Sequence, residues 1–546
     1  MAKTAKNTAV KKTPEKTKPK SVPAPSSLVL KLGAPGMTPM HRAGLGGLAA
    51  TLIALERSEK KKKDFNWSVS PTEITLDFGK PENAGACLDW LFSYAFQIKN
   101  GLIYLPGQYD EKIPALEVRA RLQQGLTLTF LQHGQTRKLG EEQVASYDFE
   151  KKKFEYTYKE CFSYAHQTAW KEWINNKGEL VITDYDVQGP VNPGAVVRHV
   201  AYTGPTKVSQ PLELVLPLQF ALIGTLSLPI NRAVGVLIVP YVGDLEKFGN
   251  RRVKLTPASI KETFVAGTGD AVLQLEIRRR GHSSVHTVRS SGGDAISFRP
   301  MPWSTQQKSR SEILSVANID KELLKFYQRV LTFLPPRIAQ KINEIKTGRG
   351  KNATTKQEIE YFWADSVVRP FIANNVAQGK LWFADFTRLA NSTDPASGKP
   401  LWNKIRFEQK GLNEMVNDEK LDWKLDGARS LVLAVQEALR SRYGQVASDK
   451  GVAEAGMKNR LEGEYEKWRL AFSGAKTPEQ FRFSLSDMFS RAKTASELKS
   501  HWEKITQLIL QDWQLARDLA LIGLASYKGK ESESQDDNTP SNKQDK

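Results

Sequence analysis

The stretch Gly33–Ser58, GAPGMTPMHRAGLGGLAATLIALERS, decides how the N-terminal part of the chain folds. Glycine and proline residues make its start irregular. From His41 onward, leucines recur at helical spacing, at Leu45, Leu48, Leu52 and Leu55. Inside this helix lie three glycines, Gly44, Gly46 and Gly47. Because each costs about 1 kcal/mol relative to alanine, we expect another backbone, of protein or nucleic acid, against this face. Packing against a sheet of the same protein is the preferred interpretation.

The composition predicts a protein that contacts a polyanion. Its 546 residues are enough for two to four domains, and its net charge is +19 with a pI near 9.5. The first twenty residues carry seven lysines and one glutamate, so residues 1–28 are predicted to be a disordered basic arm. Residues 529–546 are predicted to be a disordered tail. The body between them is basic as well.

The remaining bulk features favour a cytoplasmic protein. The only cysteines, Cys87 and Cys161, lie in apolar surroundings typical of reduced core thiols. No apolar stretch follows the basic N-terminus, so export is not expected. The most apolar run, Leu212–Ile230, is interrupted by charged, amide and proline residues and predicts no membrane span.

Residues 29–304 are predicted to form an α+β domain. Alternating Ile74, Leu76 and Phe78 indicate a strand, and the segments from Cys87 and from Phe162 have helical spacing. Further strands are expected at segments beginning with Leu126, Lys153, Glu179, Ala195, Gly235 and Val272. Strands dominate without regular alternation with helices, which favours α+β over α/β.

After Ser304 the pattern becomes helical. Residues 305–400 are predicted to be a helical part of the body that carries the basic loop KTGRGKN (Lys346–Asn352). Residues 401–528 are predicted to form a four-helix bundle, with helices through Leu431, Leu461, Phe481 and the long segment Trp502–Leu519. The fold class is therefore α+β: a strand-rich N-terminal body followed by a C-terminal helical bundle.

No enzyme motif stands out. The segment GRGKNATT from Gly348 lacks the spacing of a phosphate-binding loop, and neither a nucleophile elbow nor a zinc helix is present. His282 and His286 form a His-x3-His pair without a nearby third ligand, among arginines that repel a cation. We therefore predict no catalytic residues, no metal site and no cofactor.

Basic clusters with neighbouring glycine, asparagine or aromatic residues predict nucleic-acid contacts, although each alone is more typical of a solvated face. For duplex DNA the candidates are Asn250, Arg251, Arg252, Arg349, Lys351 and Asn352. For RNA or phosphate they are Lys60, Lys61, Lys62 and Lys63, with His41 and Arg42 at a helix start that favours an anion. In the bundle, Arg440, Arg442, Lys458 and Arg460 lie between aromatic residues, as a single-strand groove requires.

The stretch GAPGMTPMHRAGLGGLAATL resembles the N-terminal signature of the large-subunit family of type I CRISPR interference complexes (Cascade), in its Myxococcus-type branch. The close match covers about the first twenty-five ordered residues, and the rest of the chain agrees in layout only. The resemblance implies a non-catalytic subunit that recognises a protospacer-adjacent motif (PAM) in duplex DNA, starts unwinding and guides the displaced strand. The resemblance assigns no residues that read the motif, so the DNA-binding candidates given above are based on their side-chain chemistry alone.

The resemblance also implies partners: CRISPR RNA, target duplex DNA, the backbone and 5′-handle-binding subunits, small subunits, and helicase-nuclease or transposition proteins, with no membrane. In such systems a small subunit can arise from an internal start, for which Met415 is the candidate because it precedes the whole bundle. Two alternatives stay open at this point. One is a degenerate nucleic-acid-processing nuclease, and the other is a general RNA-binding scaffold.

Overall fold

The structure, a computed structural model, describes residues 24–109, 112–187, 191–193, 208–231, 233–281, 292–301, 308–347, 354–394, 398–448, 454–492 and 496–529. The strand predicted from Ala195 and the His282–His286 pair lie outside the described residues. So do most of the predicted N-terminal arm and nearly all of the predicted tail.

The first part of the chain combines strands and helices around one apolar core. Its strands are β1 (Ser27–Lys31), β2 (Asn66–Val69), β3 (Glu73–Asp77), β4 (Gln97–Lys99), β5 (Leu102–Tyr104), β6 (Arg137–Phe149), β7 (Lys152–Tyr164), β8 (Asp184–Asp186), β9 (Ser209–Pro211), β10 (Leu226–Pro229) and β11 (Gly235–Pro240). Its helices are α1 (Pro39–Arg57), α2 (Ala84–Ala95), α3 (Leu116–Leu128), α4 (Leu212–Gly224), α5 (Leu245–Arg251) and α6 (Thr268–Gly281).

Helix α1 is the centre of this body, and its glycines allow other helices to approach closely. A Cβ on Gly44 would lie 1.9 Å from the carbonyl oxygen of Pro217, and one on Gly47 would lie 2.3 Å from that of Phe220, both in α4. On another side, Gly46 lies against the ring of Phe248 in α5. The expected close backbone is therefore protein, but it belongs to a helix and not to a sheet.

The middle of the chain continues the body with β12 (Gly292–Met301), β13 (Lys308–Ala317), α7 (Lys321–Phe333), β14 (Arg337–Thr347), β15 (Thr354–Ala364), α8 (Val368–Ala377), α9 (Phe386–Ala390), α10 (Trp402–Arg406) and α11 (Gln409–Asn417). Two four-stranded sheets result, in the orders β10-β11-β12-β13 and β14-β15-β7-β6. In the second sheet, two long antiparallel hairpins meet through one parallel pairing of Tyr361 with Phe154. A third sheet has the order β1-β3-β2.

The C-terminal part is helical, which confirms the predicted α+β class with a helical bundle. Its helices are α12 (Ala428–Ser448), α13 (Glu454–Gly474), α14 (Pro478–Arg491), α15 (Ser496–Gln511) and α16 (Trp513–Ala525). The predicted fourth helix is thus two helices. Asp512 separates them, because its side chain accepts a hydrogen bond from the Leu515 amide and caps α16 (2.9 Å).

Several predicted elements have a different type. The strands predicted from Leu126 and Val272 are the end of α3 and part of α6, and the segment from Phe162 is the end of β7 followed by a 3₁₀ segment, Ala165–Trp173. Of the strand predicted from Glu179, only the short β8 is present. Within residues 305–400, expected to be helical, β13, β14 and β15 are strands. The domain limits themselves stay predictions.

Candidate nucleic-acid interface

His41, predicted to touch a phosphate, instead belongs to the start of α1. Its side chain is buried, with Nδ1 2.7 Å from Thr38 Oγ1 and Nε2 3.0 Å from Gln210 Oε1. Since an amide oxygen only accepts, Nε2 carries the proton and Nδ1 accepts from Thr38. Burial lowers the pKa of His41, partly offset by the Gln210 hydrogen bond. This neutral, fully engaged ring is structural, and only the exposed Arg42 can meet an anion here.

The C-terminal ends of α1 and α5 lie next to each other, and each is adjacent in sequence to a predicted basic cluster. The two helices pack closely because Gly46 accommodates Phe248. As a result, Arg57 at the end of α1 donates a long hydrogen bond from Nη2 to the carbonyl oxygen of Asn250 (3.5 Å). Lys60 to Lys63 begin three residues after Arg57, and Asn250 and the exposed Arg251 are the last two residues of α5.

Two tyrosines and a further lysine extend this surface. Lys60 Nζ lies 5.2 Å from the ring centroid of Tyr94, and Lys99 Nζ lies 3.7 Å from that of Tyr104. The pKa of Lys99 is lowered, first by desolvation and then by the charges of Lys60 and Arg119. We call this surface the basic–aromatic patch: Arg57, Lys60, Lys61, Lys62, Lys63, Tyr94, Lys99, Tyr104, Asn250 and Arg251.

Sequence reasoning missed the aromatic half of this patch. Tyr94 is hidden in the pattern of an apolar helix, and Tyr104 is the last residue of a strand of only three residues. Lys99 precedes Asn100 and Gly101, a turn signal that places a cation at an exposed tip. Lys99 was therefore the residue from which the sequence could have indicated this part of the patch.

Arg252, predicted to contact DNA, is buried and serves the fold. Its guanidinium donates Nε to the carbonyl oxygen of Ile223 (2.6 Å), Nη2 to that of Thr225 (2.6 Å) and Nη1 to Thr256 Oγ1 (3.0 Å). Burial lowers the pKa of Arg252 to about 9. The arginine thus caps the C-terminus of α4, where carbonyl groups lack helical partners. We correct its assignment: the adjacent Arg251 is exposed, while Arg252 is buried.

The other predicted DNA-binding residues, Arg349, Lys351 and Asn352, lie outside the described residues, in the connection between β14 and β15. The last pairing before this connection joins Thr347 to Thr354. The basic loop therefore joins two strands of a hairpin, where the sequence predicted a helical region. We call β14 and β15 together the ribbon.

The base of the ribbon is fixed to the body and its middle is exposed. Trp363 Nε1 donates a hydrogen bond to Tyr147 Oη (2.8 Å), and the Trp363 ring centroid lies 4.5 Å from that of Phe264. At the middle of the two strands, the cross-strand pair Ile342 and Ile359 is 44% and 48% exposed. A two-stranded ribbon of this kind fits the major groove of B-DNA.

The predicted displaced-strand residues of the bundle lie among glutamates. Arg442 Nη2 is 2.8 Å from Glu464 Oε1, which leaves this guanidinium half-buried and paired. Arg440, Lys458 and Arg460 are exposed on the same pair of helices, α12 and α13. The surface that they form has mixed charge.

Met415, the candidate internal start, is buried in the middle of α11. Upstream of it in the same helix, Asn413 Nδ2 donates to the carbonyl oxygen of Ser526 (2.9 Å), and Gln409 Nε2 donates to that of Tyr527. Both bonds serve the C-terminal end of α16. A chain that begins at Met415 lacks them.

Within the described ranges, no group of three or more His, Cys, Asp or Glu side chains could hold a metal ion. Cys87 and Cys161 are separate buried thiols, as expected of packing residues. In the part of the chain that the structure describes, no helix combines the length and apolar character needed to cross a membrane.

Comparison with known proteins identifies the family. Residues 29–219 match the family described as the DevT N-terminal domain, and residues 419–546 match the DevT C-terminal domain. The chain is 34% identical over 540 residues to CRISPR-associated protein Cas8a1/Csx13 of Myxococcus xanthus (strain DK1622), with 94% of this chain and 90% of that protein covered. The resemblance predicted from Gly33–Ser58 is confirmed. The chain therefore belongs to the Cas8a1/Csx13 family of CRISPR-associated proteins.

Proposed function

We propose that the protein is the non-catalytic large subunit of a CRISPR RNA-guided surveillance complex that recognises the PAM in duplex DNA. In this role it aids unwinding, guides the displaced strand and recruits a helicase-nuclease or transposition partner. The observation that carries the proposal is the hydrogen bond from Arg57 to Asn250 (3.5 Å), which places the end of α1, followed in sequence by Lys60 to Lys63, beside the end of α5 with Arg251. Family membership supports it, because such a complex pairs guide RNA with DNA and leaves the short motif to protein.

Helix α3 connects the two candidate contact elements. Its Arg119 donates a hydrogen bond from Nη2 to the carbonyl oxygen of Lys99 in the basic–aromatic patch (2.6 Å). Its Arg121 guanidinium lies 4.1 Å from the ring centroid of Phe264, which packs on Trp363 at the base of the ribbon. Patch and ribbon are therefore held in one body, a geometry suited to a duplex that contacts both.

The basic–aromatic patch and the ribbon connection carry different side chains, which suit different contacts with a nucleic acid. In the patch, flexible lysines suit phosphates of DNA or guide RNA, which position a nucleic acid without reading it. In the ribbon connection, Arg349, Lys351 and Asn352 combine donors and an amide that suit base edges. We therefore assign motif reading to the ribbon first and to Asn250 and Arg251 second.

A motif-library assay on the reconstituted complex tests the proposal. We expect Arg349→Ala to weaken binding to the preferred motif by about 1–3 kcal/mol and to relax the preference. Lys61→Ala should weaken all motifs alike, because a phosphate contact carries no sequence information. Unchanged motif preference and affinity in both Arg349→Ala and Arg251→Ala would show that these assignments are wrong.

The alternative from another class is a degenerate nuclease, which a metal-dependent cleavage assay on the purified chain separates from a binding subunit. For a general RNA-binding scaffold, the discriminating observation is the gene neighbourhood. CRISPR arrays and backbone-subunit genes beside this gene support the surveillance complex, and transposase genes support RNA-guided insertion.

We also propose Met415 as the start of a separately made small subunit containing α12 to α16. The five helices lie downstream of it, which is the observation that supports the proposal. Intact-mass measurement of complexes from wild-type and Met415→Leu genes tests it. We expect the small subunit to disappear in the variant, and an unchanged small-subunit mass would exclude this start.

A further inference from the structure

A polar groove opens between the body and the bundle. Its walls are α9, the turn between α13 and α14, and the N-terminal turn of α16, and its volume is about 480 Å³. The lining residues that matter for its chemistry are Arg388, Asn391, Lys476, Trp513, Gln514 and Arg517. A space of this size accommodates one nucleotide unit.

Three cations line the groove, and two of them, Arg388 and Lys476, have uncommitted charges. Arg517 donates Nη1 to the carbonyl oxygen of Ala475 (2.6 Å), while its buried Nε has no partner among the described residues. The exposed ends of Arg388 and Lys476 form no hydrogen bond or ion pair with any described residue. Guanidinium and ammonium groups arranged in this way are typical of phosphate binding.

The carboxylates of the groove are already engaged. Asp385 lies 3.5 Å from Lys380 Nζ. Buried Asp518 accepts hydrogen bonds from the amides of Asp385 (2.8 Å) and Thr387 (2.7 Å) and from Thr387 Oγ1 (2.5 Å). Burial raises the pKa of Asp518, and the charge of Arg517 acts in the opposite direction with a smaller effect. Because each carboxylate has donors or a counter-charge of its own, Arg388 and Lys476 keep their capacity for an external anion.

The aromatic ring of Trp513 and the side-chain amides of Asn391 and Gln514 provide groups that can contact a base. Trp513 is half-buried at the groove, and Arg517 lies 5.0 Å from its ring centroid. Asn391 donates Nδ2 to the carbonyl oxygen of Ser473 (3.1 Å), which leaves its side-chain oxygen as an acceptor. A cationic groove with an aromatic platform is the usual arrangement for single-stranded nucleic acid. An acidic peptide would use the cations but not the ring.

We propose that this groove binds single-stranded nucleic acid, with a phosphate between Arg388, Lys476 and Arg517 and a base against Trp513. The inference rests on the proposed function and names the surface that the displaced strand occupies. It differs from the predicted set on α12 and α13, where Arg442 is paired with Glu464 at 2.8 Å.

Fluorescence anisotropy of the full chain with labelled dT20 tests the proposal. We expect the double variant Arg388→Ala with Lys476→Ala to weaken binding at least about fivefold and to reduce the slope of log K against log salt by about 1.4. The matched control, Lys321→Ala with Lys499→Ala, removes the same charge from exposed positions elsewhere. It should change affinity less than about twofold. Equal losses in both double variants would overturn the proposal.

A second pair of probes tests the ring. We expect Trp513→Leu to weaken dT20 binding about fivefold and to leave an abasic 20-mer unaffected, because only dT20 offers bases to stack. Equal effects on both probes would overturn the assignment of Trp513. If a 20-residue polyglutamate peptide competes as well as unlabelled dT20, the groove takes acidic peptides and the proposal is wrong.

The PAM-library assay keeps this result separate from the proposed function. The Arg388→Ala, Lys476→Ala variant should keep the wild-type motif preference. If wild type itself shows no motif preference while the groove variant still loses dT20 binding, the proposed function fails and the groove stands. If motif preference is present and the groove variant binds dT20 normally, the groove proposal fails alone.

Discussion

At the scale of single residues, the glycines of α1 are identifying features because they fix how two helices meet. Gly44 and Gly47 lie against backbone carbonyls of α4, which cannot move away as a flexible side chain can. The spacing of these glycines therefore records a helix–helix contact. The local sequence shows that a close approach is needed, but it does not show whether a helix or a sheet makes it.

We expect Gly44→Ala to destabilise the protein by at least about 2 kcal/mol, because the new methyl would lie 1.9 Å from the Pro217 oxygen. Gly33→Ala is the matched control in the same stretch, since nothing lies within 4 Å of its Cβ position. Urea unfolding of both variants checks this. A Gly44→Ala midpoint equal to that of wild type would contradict the packing of α1 on α4.

A second residue prediction concerns His166, which is buried without a hydrogen-bond partner among the described residues. Its ring centroid lies 5.8 Å from that of Phe96 and 6.3 Å from that of Phe130. Burial lowers its pKa from 6.5 to about 4. The unfolded chain therefore binds this proton more readily than the folded protein does. As a result, stability is complete above pH 6.5 and falls as the pH drops toward 4.

From this residue alone we expect a loss of about 2 kcal/mol between pH 7.5 and pH 5. His166→Phe removes the titrating group and retains an aromatic ring among Phe96 and Phe130. The free energy of unfolding of the variant should therefore vary less over this range, by about the same amount. Parallel pH profiles of wild type and variant in urea titrations would show that His166 does not titrate as described.

At the scale of elements, the ribbon shows why spacing alone misleads. Ile359 and Trp363 are four residues apart, a separation that places two side chains on one face of a helix and equally on one face of a strand. The register of β15 puts both side chains on the same face of the strand as Tyr361, so the segment is a strand and not a helix. Partners distant in sequence, Tyr147 and Phe264, decided the outcome, and no local pattern reveals them.

The segment from Val272, which is part of α6, was wrongly predicted to be a strand for a different reason. Ala271, Val272, Leu273 and Leu275 are all buried, and so is Glu276, which pairs with Arg279 at 3.1 Å. A helix buried on nearly all sides has no polar stripe and therefore no visible helical period. The amphipathic helices α12 to α14, by contrast, were predicted correctly from spacing, because one face of each meets solvent.

The ribbon also carries a prediction at this scale. Replacing residues 343–358 by Asn-Gly would join the paired Ile342 and Ile359 through a two-residue turn and remove the basic connection. Because the base is held by Trp363, thermal stability should change little, while motif-dependent DNA binding should be lost. Retained motif preference in the shortened protein would remove the ribbon from motif reading.

At the scale of the whole molecule, the candidate site was only partly accessible to sequence reasoning. Basic clusters could be found from the sequence, and the hydrogen bond from Arg57 to Asn250 joins the helix ends next to two of them. Their sorting into inward and outward groups could not be predicted, because Arg251 and Arg252 are neighbours with opposite environments. The groove at Arg388, Lys476 and Arg517 was missed because it joins three distant segments.

The same long-range contacts predict how far the bundle is independent of the body. Asp518 in α16 takes its donors from Asp385 and Thr387, and α11 supplies donors to the end of α16. A fragment of residues 415–546 lacks these groups, whereas residues 379–546 retain them. We therefore expect the shorter fragment to melt at least about 5 °C lower. Equal melting temperatures would mean that α9 and α11 do not stabilise the bundle. A lower value would mean that a small subunit starting at Met415 requires a partner surface to replace them.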